Sequence, residues 1–205
     1  MAEQATRLRD FHDAALIVVD VQNDFCPGGS LPVPHGDEVV PVLNEYARRF
    51  HEAGLPVIAS RDWHPPQTRH FQSGGGQWPP HCVQGTRGAE FHPDLRLPSG
   101  TIVVSKGMDP NRDSYTAFDA VTEDGRSLLQ LLRDLGVRRL FVGGLATDYC
   151  VRASALDARR NGFEVVVLRD AVRGVDLQPG DSERALQEMH AAGAREMTLA
   201  EVAVA

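Results

Sequence analysis

Apolar and polar positions fall into two kinds of block along this chain, and the blocks alternate. Ala14–Asp20 is six apolar residues closed by an acid, the pattern of a strand buried on both faces. Leu55–Ser60, Thr101–Ser105, Arg138–Gly143 and Glu164–Leu168 repeat it, and Arg195–Leu199 predicts a short last strand. Between them the apolar spacing changes to three and four. Val39, Leu43, Tyr46, Ala47 and Phe50 form one stripe of a helix over Asp37–Ala53, stopped by Gly54. Leu128, Leu131, Leu132 and Leu135 mark a second helix closed by Gly136. Thr147–Asn161 predicts a third, capped by Thr147 or Asp148, and Gly180–Ala192 a fourth. Arg61–Gly100 contains no periodic stretch and predicts a long loop.

Strands that alternate with helices predict an α/β fold, a three-layer α/β/α sandwich around a mainly parallel six-stranded sheet. The expectation is one domain over residues 1–205, with 1–13 as an N-terminal extension. Chemistry in such sheets gathers outside the carboxyl ends of the strands. There, strand one ends in Asp20, strand two runs into Asp62, strand three delivers Lys106, and strand four turns into the helix carrying Cys150.

Composition narrows the class. Of the 205 residues 42% are hydrophobic and 24% charged, which excludes a mostly disordered chain. No apolar run reaches the length of a membrane span. A net charge of -7 speaks against a nucleic-acid partner. Met1–Asp13 lacks the apolar stretch of a signal peptide, and Cys26, Cys82 and Cys150 are too scattered for a disulfide framework or a metal ribbon. A cytoplasmic protein is expected, with room for either a monomer or a homodimer. The 21 basic residues include a single lysine, Lys106. An ammonium differs from a guanidinium in shape, hydration and tunable pKa, so this exception can be functional or an accident.

Three constellations carry candidate chemistry. Cys150 falls in the first turn of its helix, where free amides and the helix dipole favour a thiolate and can hold an oxyanion. Asp20 could take its proton, and Lys106 nearby would keep that carboxylate ionised. The alternatives are a buried structural cysteine, a loop-bonding acid and a solvated lysine. In the long loop, Asp62 and His64 are two apart in extended chain and point the same way. His70 and His81 could complete a site for Zn²⁺, Fe²⁺ or Mn²⁺. An exposed histidine-rich loop is the competing reading. Phe25 and Trp78 could stack on a flat ligand or merely anchor their loops.

Taken together, five segments resemble the nicotinamidase branch of the isochorismatase-like cysteine hydrolase superfamily. They are Val19-Asp-Val-Gln-Asn-Asp-Phe-Cys-Pro-Gly-Gly-Ser-Leu31, Arg61-Asp-Trp-His64, Trp78-Pro-Pro-His-Cys-Val-Gln-Gly-Thr86, Ser105-Lys-Gly107 and Gly143-Gly-Leu-Ala-Thr-Asp-Tyr-Cys-Val151. The resemblance runs from about Ala14 to Ala192 and implies an isochorismatase-like hydrolase fold. It implies a catalytic triad of Asp20, Lys106 and Cys150, and one divalent metal ion on Asp62, His64, His81 and, in some members, His70. It further implies a cis Leu145–Ala146 peptide that turns the Ala146 amide beside that of Cys150 as an oxyanion hole. Phe25 and Trp78 would sandwich a pyridine ring, and Tyr115 would close the pocket. The substrate expected is a small molecule, nicotinamide or pyrazinamide. The reaction is hydrolysis of its amide through a cysteine thioester, yielding nicotinate and ammonia in NAD salvage. No nucleic acid or membrane partner is implied. Met108–Ser114 matches no part of the pattern. The rivals are a metal-free amidase or isochorismatase-type hydrolase of the same superfamily, and a non-catalytic small-molecule binding protein. Metal content separates the first. The joint presence of Asp20, Lys106 and Cys150 argues against the second.

Overall fold

A computed structural model describes residues 6–203. Eight strands run in chain order: β1 Thr6–Arg7, β2 Ala14–Val19, β3 Val57–Asp62, β4 Ile102–Lys106, β5 Arg139–Leu145, β6 Glu164–Arg173, β7 Arg195–Met197 and β8 Val202–Ala203. Four α-helices accompany them: α1 Val39–Glu52, α2 Leu128–Asp134, α3 Arg152–Arg160 and α4 Asp181–Ala191. The six predicted strands form one sheet in the order β4-β3-β2-β5-β6-β7, and every pairing in it is parallel. Of the expected N-terminal extension, residues 1–5 lie outside the described residues. Its strand β1 pairs with β8, and Leu8 is fully buried.

The alternation of side chains along a strand builds the layers. Leu16 and Val18 of β2 face one way, packing with Leu43, Tyr46 and Phe50 of α1. Ala15, Ile17 and Val19 face the other way, toward Leu131 and Leu132 of α2, Ala155 and Ala158 of α3, and Leu186 and Met189 of α4. Both faces are covered, so β2 is buried at all six positions and reads as a continuous apolar run. Gly144 lies where β5 crosses closest to β2. Its φ is +122°, and a Cβ there would stand 2.1 Å from the Val19 carbonyl oxygen, so glycine alone fits.

Element ends depart from the periodic reading in informative ways. β3 and β4 extend to Asp62 and Lys106, because the ladder continues through Asp62↔Lys106 after the apolar run has stopped. β6 continues to Arg173: Arg169 and Asp170 interrupt its apolar pattern, but Val172 and Arg173 resume pairing with Gly144 and Leu145 beyond an irregularity. The helix expected from Thr147 opens instead as one π-helical turn, Thr147–Val151, with α3 beginning at Arg152. Neither proposed residue caps it. The Asp148 carboxylate accepts the Val175 and Asp176 amides at 2.9 and 2.8 Å, tying down the segment after β6.

The long loop is stitched rather than loose. His64 pairs with Val83, Phe71 with Trp78, and Gln22 with Phe91. These bridges draw its histidines together over the ends of β3 and β4.

Candidate active site

Asp20 follows the last residue of β2 and turns out of the strand with φ +50°. It is fully buried. Ser60, the neighbour of Val19 on β3, donates its hydroxyl to Asp20 Oδ1 at 2.6 Å. The Lys106 ammonium at the end of β4 lies 2.9 Å from Asp20 Oδ2 and 3.5 Å from Cys150 Sγ. It also donates to Asp62 Oδ1 in a close ion pair. Asp20 Oδ2 has no well-directed hydrogen-bond donor. One Asp20 carboxylate oxygen, Cys150 Sγ and an Asp62 oxygen all lie within 4.8 Å of one another. The three residues predicted from separate strand ends therefore converge, and Asp62 joins them.

Burial sets the proton positions. Desolvation raises the Asp20 carboxyl above its usual range, with Lys106 opposing and Asp62 adding to it. Desolvation also lifts the Cys150 thiol well above the ordinary value, and attraction to Lys106 does not offset it. Water exclusion thus works against the thiolate that the helix amides favour, while Lys106 opposes the rise at both Cys150 and Asp20. Desolvation would lower Lys106, but Asp20 and Asp62 flank it and hold it well above the usual amine value. Desolvation likewise works against the Asp62 charge, yet Lys106 and then His64 bring that carboxyl below the usual range. These directions favour a thiol at Cys150 and an ammonium at Lys106, which sits between Asp20 and Asp62.

On the other side of Asp62 stand the histidines. Asp62 Oδ2 is 3.6 Å from His64 Nε2 and 4.0 Å from His81 Nε2. His64, His70 and His81 are all buried, and one ring nitrogen of each lies within 4.8 Å of the others'. The outer nitrogens are occupied: His64 Nδ1 meets the Gly107 carbonyl at 3.0 Å, His81 Nδ1 the Pro79 carbonyl at 2.8 Å, and His70 Nδ1 the Asp113 carboxylate at 2.7 Å. Acceptors at Nδ1 fix the tautomer that leaves Nε2 as a lone pair, the state a metal ligand needs. His64 Nε2 is buried with no partner of its own. Burial pushes His81 down to about 4, which keeps its ring neutral. An orphaned lone pair, two further imidazoles and a carboxylate oxygen fit a divalent cation.

Local sequence explains the arrangement. Gln22, fully buried, donates to the Asp62 carbonyl at 2.7 Å and accepts the Asp62 amide at 2.8 Å, clamping that backbone. Gly107 has φ +72°, and a Cβ there would stand 2.5 Å from the His64 ring, so the turn after Lys106 admits only glycine.

A narrow pocket opens over both clusters. Cys150, Asp62, His70, His81, Phe25, Trp78, Tyr115 and Ala146 are among the residues that line it. The Leu145–Ala146 peptide is cis. The Ala146 amide meets no hydrogen-bond acceptor among the described residues. Trp78 donates its indole N–H to the Tyr115 hydroxyl at 3.0 Å. His64 lies below and does not line the pocket. Leu31, Val33, Leu145, Tyr149 and Val175 complete the wall. Leu31, Leu145 and Tyr149 fall within the motif segments, whereas no sequence signal separates Val33 and Val175 from ordinary core and loop residues. Ser60, Gln22 and Asp113 are likewise positions to which the sequence reading assigned no role.

Residues 14–201 match the isochorismatase domain family. The chain is 45% identical over 203 residues to a nicotinamidase of Escherichia coli, an alignment covering 91% of this chain and 95% of that one. It superposes on the pyrazinamidase of Pyrococcus horikoshii, solved in complex with zinc, with a TM-score of 0.84 at 49% identity, covering 91% and 99% of the two chains. A protein from L. infantum, solved in complex with nicotinate, gives a TM-score of 0.83 at 35% identity, covering 98% of each.

Proposed function

The chain belongs to the isochorismatase family, and on that premise we propose that it hydrolyses nicotinamide to nicotinate and ammonia, a step of NAD salvage. One observation carries the reading: a thiol–carboxylate–ammonium cluster and a three-histidine cluster share Asp62 beneath one aromatic-lined slot. A binding protein has no use for a buried nucleophile beside a base.

In this mechanism Asp20 Oδ2 takes the Cys150 proton, and the sulfur attacks the carboxamide carbon. The Ala146 and Cys150 amides hold the oxyanion of the tetrahedral adduct. Asp20 returns the proton to the departing nitrogen, ammonia leaves, and a thioester remains on Cys150. Asp20 then takes a proton from water as its oxygen attacks the thioester carbon. Collapse releases nicotinate, and the proton returns to the sulfur. Lys106 stays charged throughout and balances the two carboxylates as negative charge moves between Asp20 and sulfur. Phe25 and Trp78 stack on the flat ring, and Tyr115 with Tyr149 closes the mouth.

Asp62, His64, His70 and His81 would hold a divalent cation, zinc, iron or manganese. Bound there, it supplies a Lewis-acid anchor for the pyridine nitrogen and so orients the carboxamide. All these residues come from one chain, so the site is complete without a second copy. Among the described residues no helix is long and apolar enough to cross a membrane. The three free cysteines are buried, and a cytoplasmic setting suits a thiol nucleophile. The test is ammonia release from nicotinamide with metal content measured on the same sample. Ammonia production that tracks metal content is expected. A protein inert toward nicotinamide with its metal bound overturns the reading.

A further inference from the structure

His70 differs from its two companions in what holds it. His64 and His81 give Nδ1 to backbone carbonyls, of Gly107 and Pro79, which come with the fold. His70 gives Nδ1 to a side chain, Asp113 Oδ1 at 2.7 Å, and the ring has no other hydrogen-bond partner among the described residues. The ring is 3% exposed while the Asp113 side chain is 56% exposed, so the carboxylate reaches in from the surface. It stacks on His64 at 4.7 Å between ring centres and touches Tyr115 edge-on at 5.7 Å. Those contacts limit the ring's tilt but do not choose its tautomer.

The loop that brings Asp113 is the Met108–Ser114 stretch, which matches none of the five recognised segments. It is anchored on both sides. The Pro110 carbonyl accepts the Arg69 amide at 2.9 Å, next to His70 itself, and the Thr68 hydroxyl at 3.3 Å. On either side of Asp113, Arg112 and Ser114 both bind the Asp119 carboxylate, at 2.6 and 3.2 Å. The segment thus holds one exposed carboxylate against one buried imidazole.

We propose that Asp113 is a positioning residue for the metal centre: its carboxylate accepts the His70 Nδ1 proton and so commits His70 Nε2 to the cation. The inference rests on the metal reading above. Without Asp113 the His70 proton can sit on either nitrogen, and the Nε2–H form turns an N–H toward the cation. A ligand partner of this kind changes metal affinity by about 10- to 100-fold.

The experiment uses the full chain, stripped of metal and labelled with ¹⁵N-histidine, in the wild type and in Asp113→Ala and Asp113→Asn. Long-range ¹H–¹⁵N spectra report the His70 tautomer, and competition with a chelator reports Zn²⁺ affinity. The wild type should show the Nδ1–H form. Asp113→Ala should show a mixture and bind Zn²⁺ about 10- to 100-fold more weakly. Asp113→Asn keeps an acceptor oxygen and should fall between, a rescue that general loop damage would not produce. An Asp113→Ala protein with unchanged tautomer and unchanged Zn²⁺ affinity overturns the proposal. A wild type that takes up no Zn²⁺ overturns the metal reading and this inference together, and is recognised without any variant.

Discussion

Asp62 and Lys106 are register partners on the neighbouring parallel strands β3 and β4, and their side chains meet as a buried ion pair. One oxygen of that carboxylate serves the ammonium, and the other faces His64 and His81. A single strand register therefore places the nucleophile's cluster and the histidine cluster about one carboxylate apart. Lys106 is desolvated between Asp20 and Asp62, so removing it leaves the two buried carboxylates without their cation, at a cost of about 3–5 kcal/mol.

Lys106→Arg keeps the charge and should still cost at least ~100-fold in kcat, or about 2.7 kcal/mol. The ammonium reaches Asp20, Asp62 and Cys150 from one point, with no exposed surface on its side chain. A guanidinium is wider, planar and prefers a bidentate grip on one carboxylate. Kinetics with a circular dichroism check on folding decide the matter, and near-normal turnover would show that the compact cation is dispensable.

Cys150→Ala should abolish turnover and leave the fold intact, since alanine suits the start of a helix and fills less space. A thiol alkylator should inactivate the wild type, with nicotinamide protecting it. Cys150 lines the pocket beside Asp20, whereas Cys26 and Cys82 are buried away from it, so those two should react more slowly. Substantial amidase activity in the Cys150→Ala protein would exclude a thioester.

Asp20→Asn should separate stability from activity. Burial raises the Asp20 pKa in the folded chain, so the native state holds this proton more tightly than the unfolded chain does. Its stabilising contribution is then complete below about 3.8 and is lost as pH rises through the folded value. Asparagine removes that loss. The variant should melt above the wild type at neutral pH, by a margin that shrinks toward acid, while turnover falls about 100- to 10,000-fold with the base gone. Thermal melts across pH check it; a variant that melts lower at neutral pH contradicts the assignment.

His81→Ala should lower metal occupancy and raise KM more than it lowers kcat, because it weakens ring anchoring and leaves Asp20, Lys106 and Cys150 in place. Asp62→Ala should lower both occupancy and kcat, because Asp62 also holds Lys106. Metal analysis and steady-state kinetics on the two variants give the comparison. Equal kcat values would show that the Asp62–Lys106 contact has no catalytic consequence.

Much of the architecture was legible before any coordinates. Short apolar runs bounded by turn residues read as strands covered on both faces, and stripes at three and four read as helices on a core. Those two local periods predict a parallel three-layer sandwich and point to the strand ends, where Asp20, Lys106 and Cys150 indeed meet. The five motif segments add the histidines and the pocket aromatics. What tertiary structure decided was register, wall and protonation. That Asp62 divides its two oxygens between Lys106 and the histidines follows from Asp62↔Lys106 pairing, which no local pattern encodes. That Asp113 reaches His70 depends on a loop anchored at Pro110, the partners standing 43 positions apart in the chain. That the Cys150 thiol is pushed up rather than down depends on how thoroughly the folded chain excludes water around it. Periodicity is a property of neighbours along the chain, whereas desolvation and charge proximity are properties of neighbours in space, and only the packed molecule sets those.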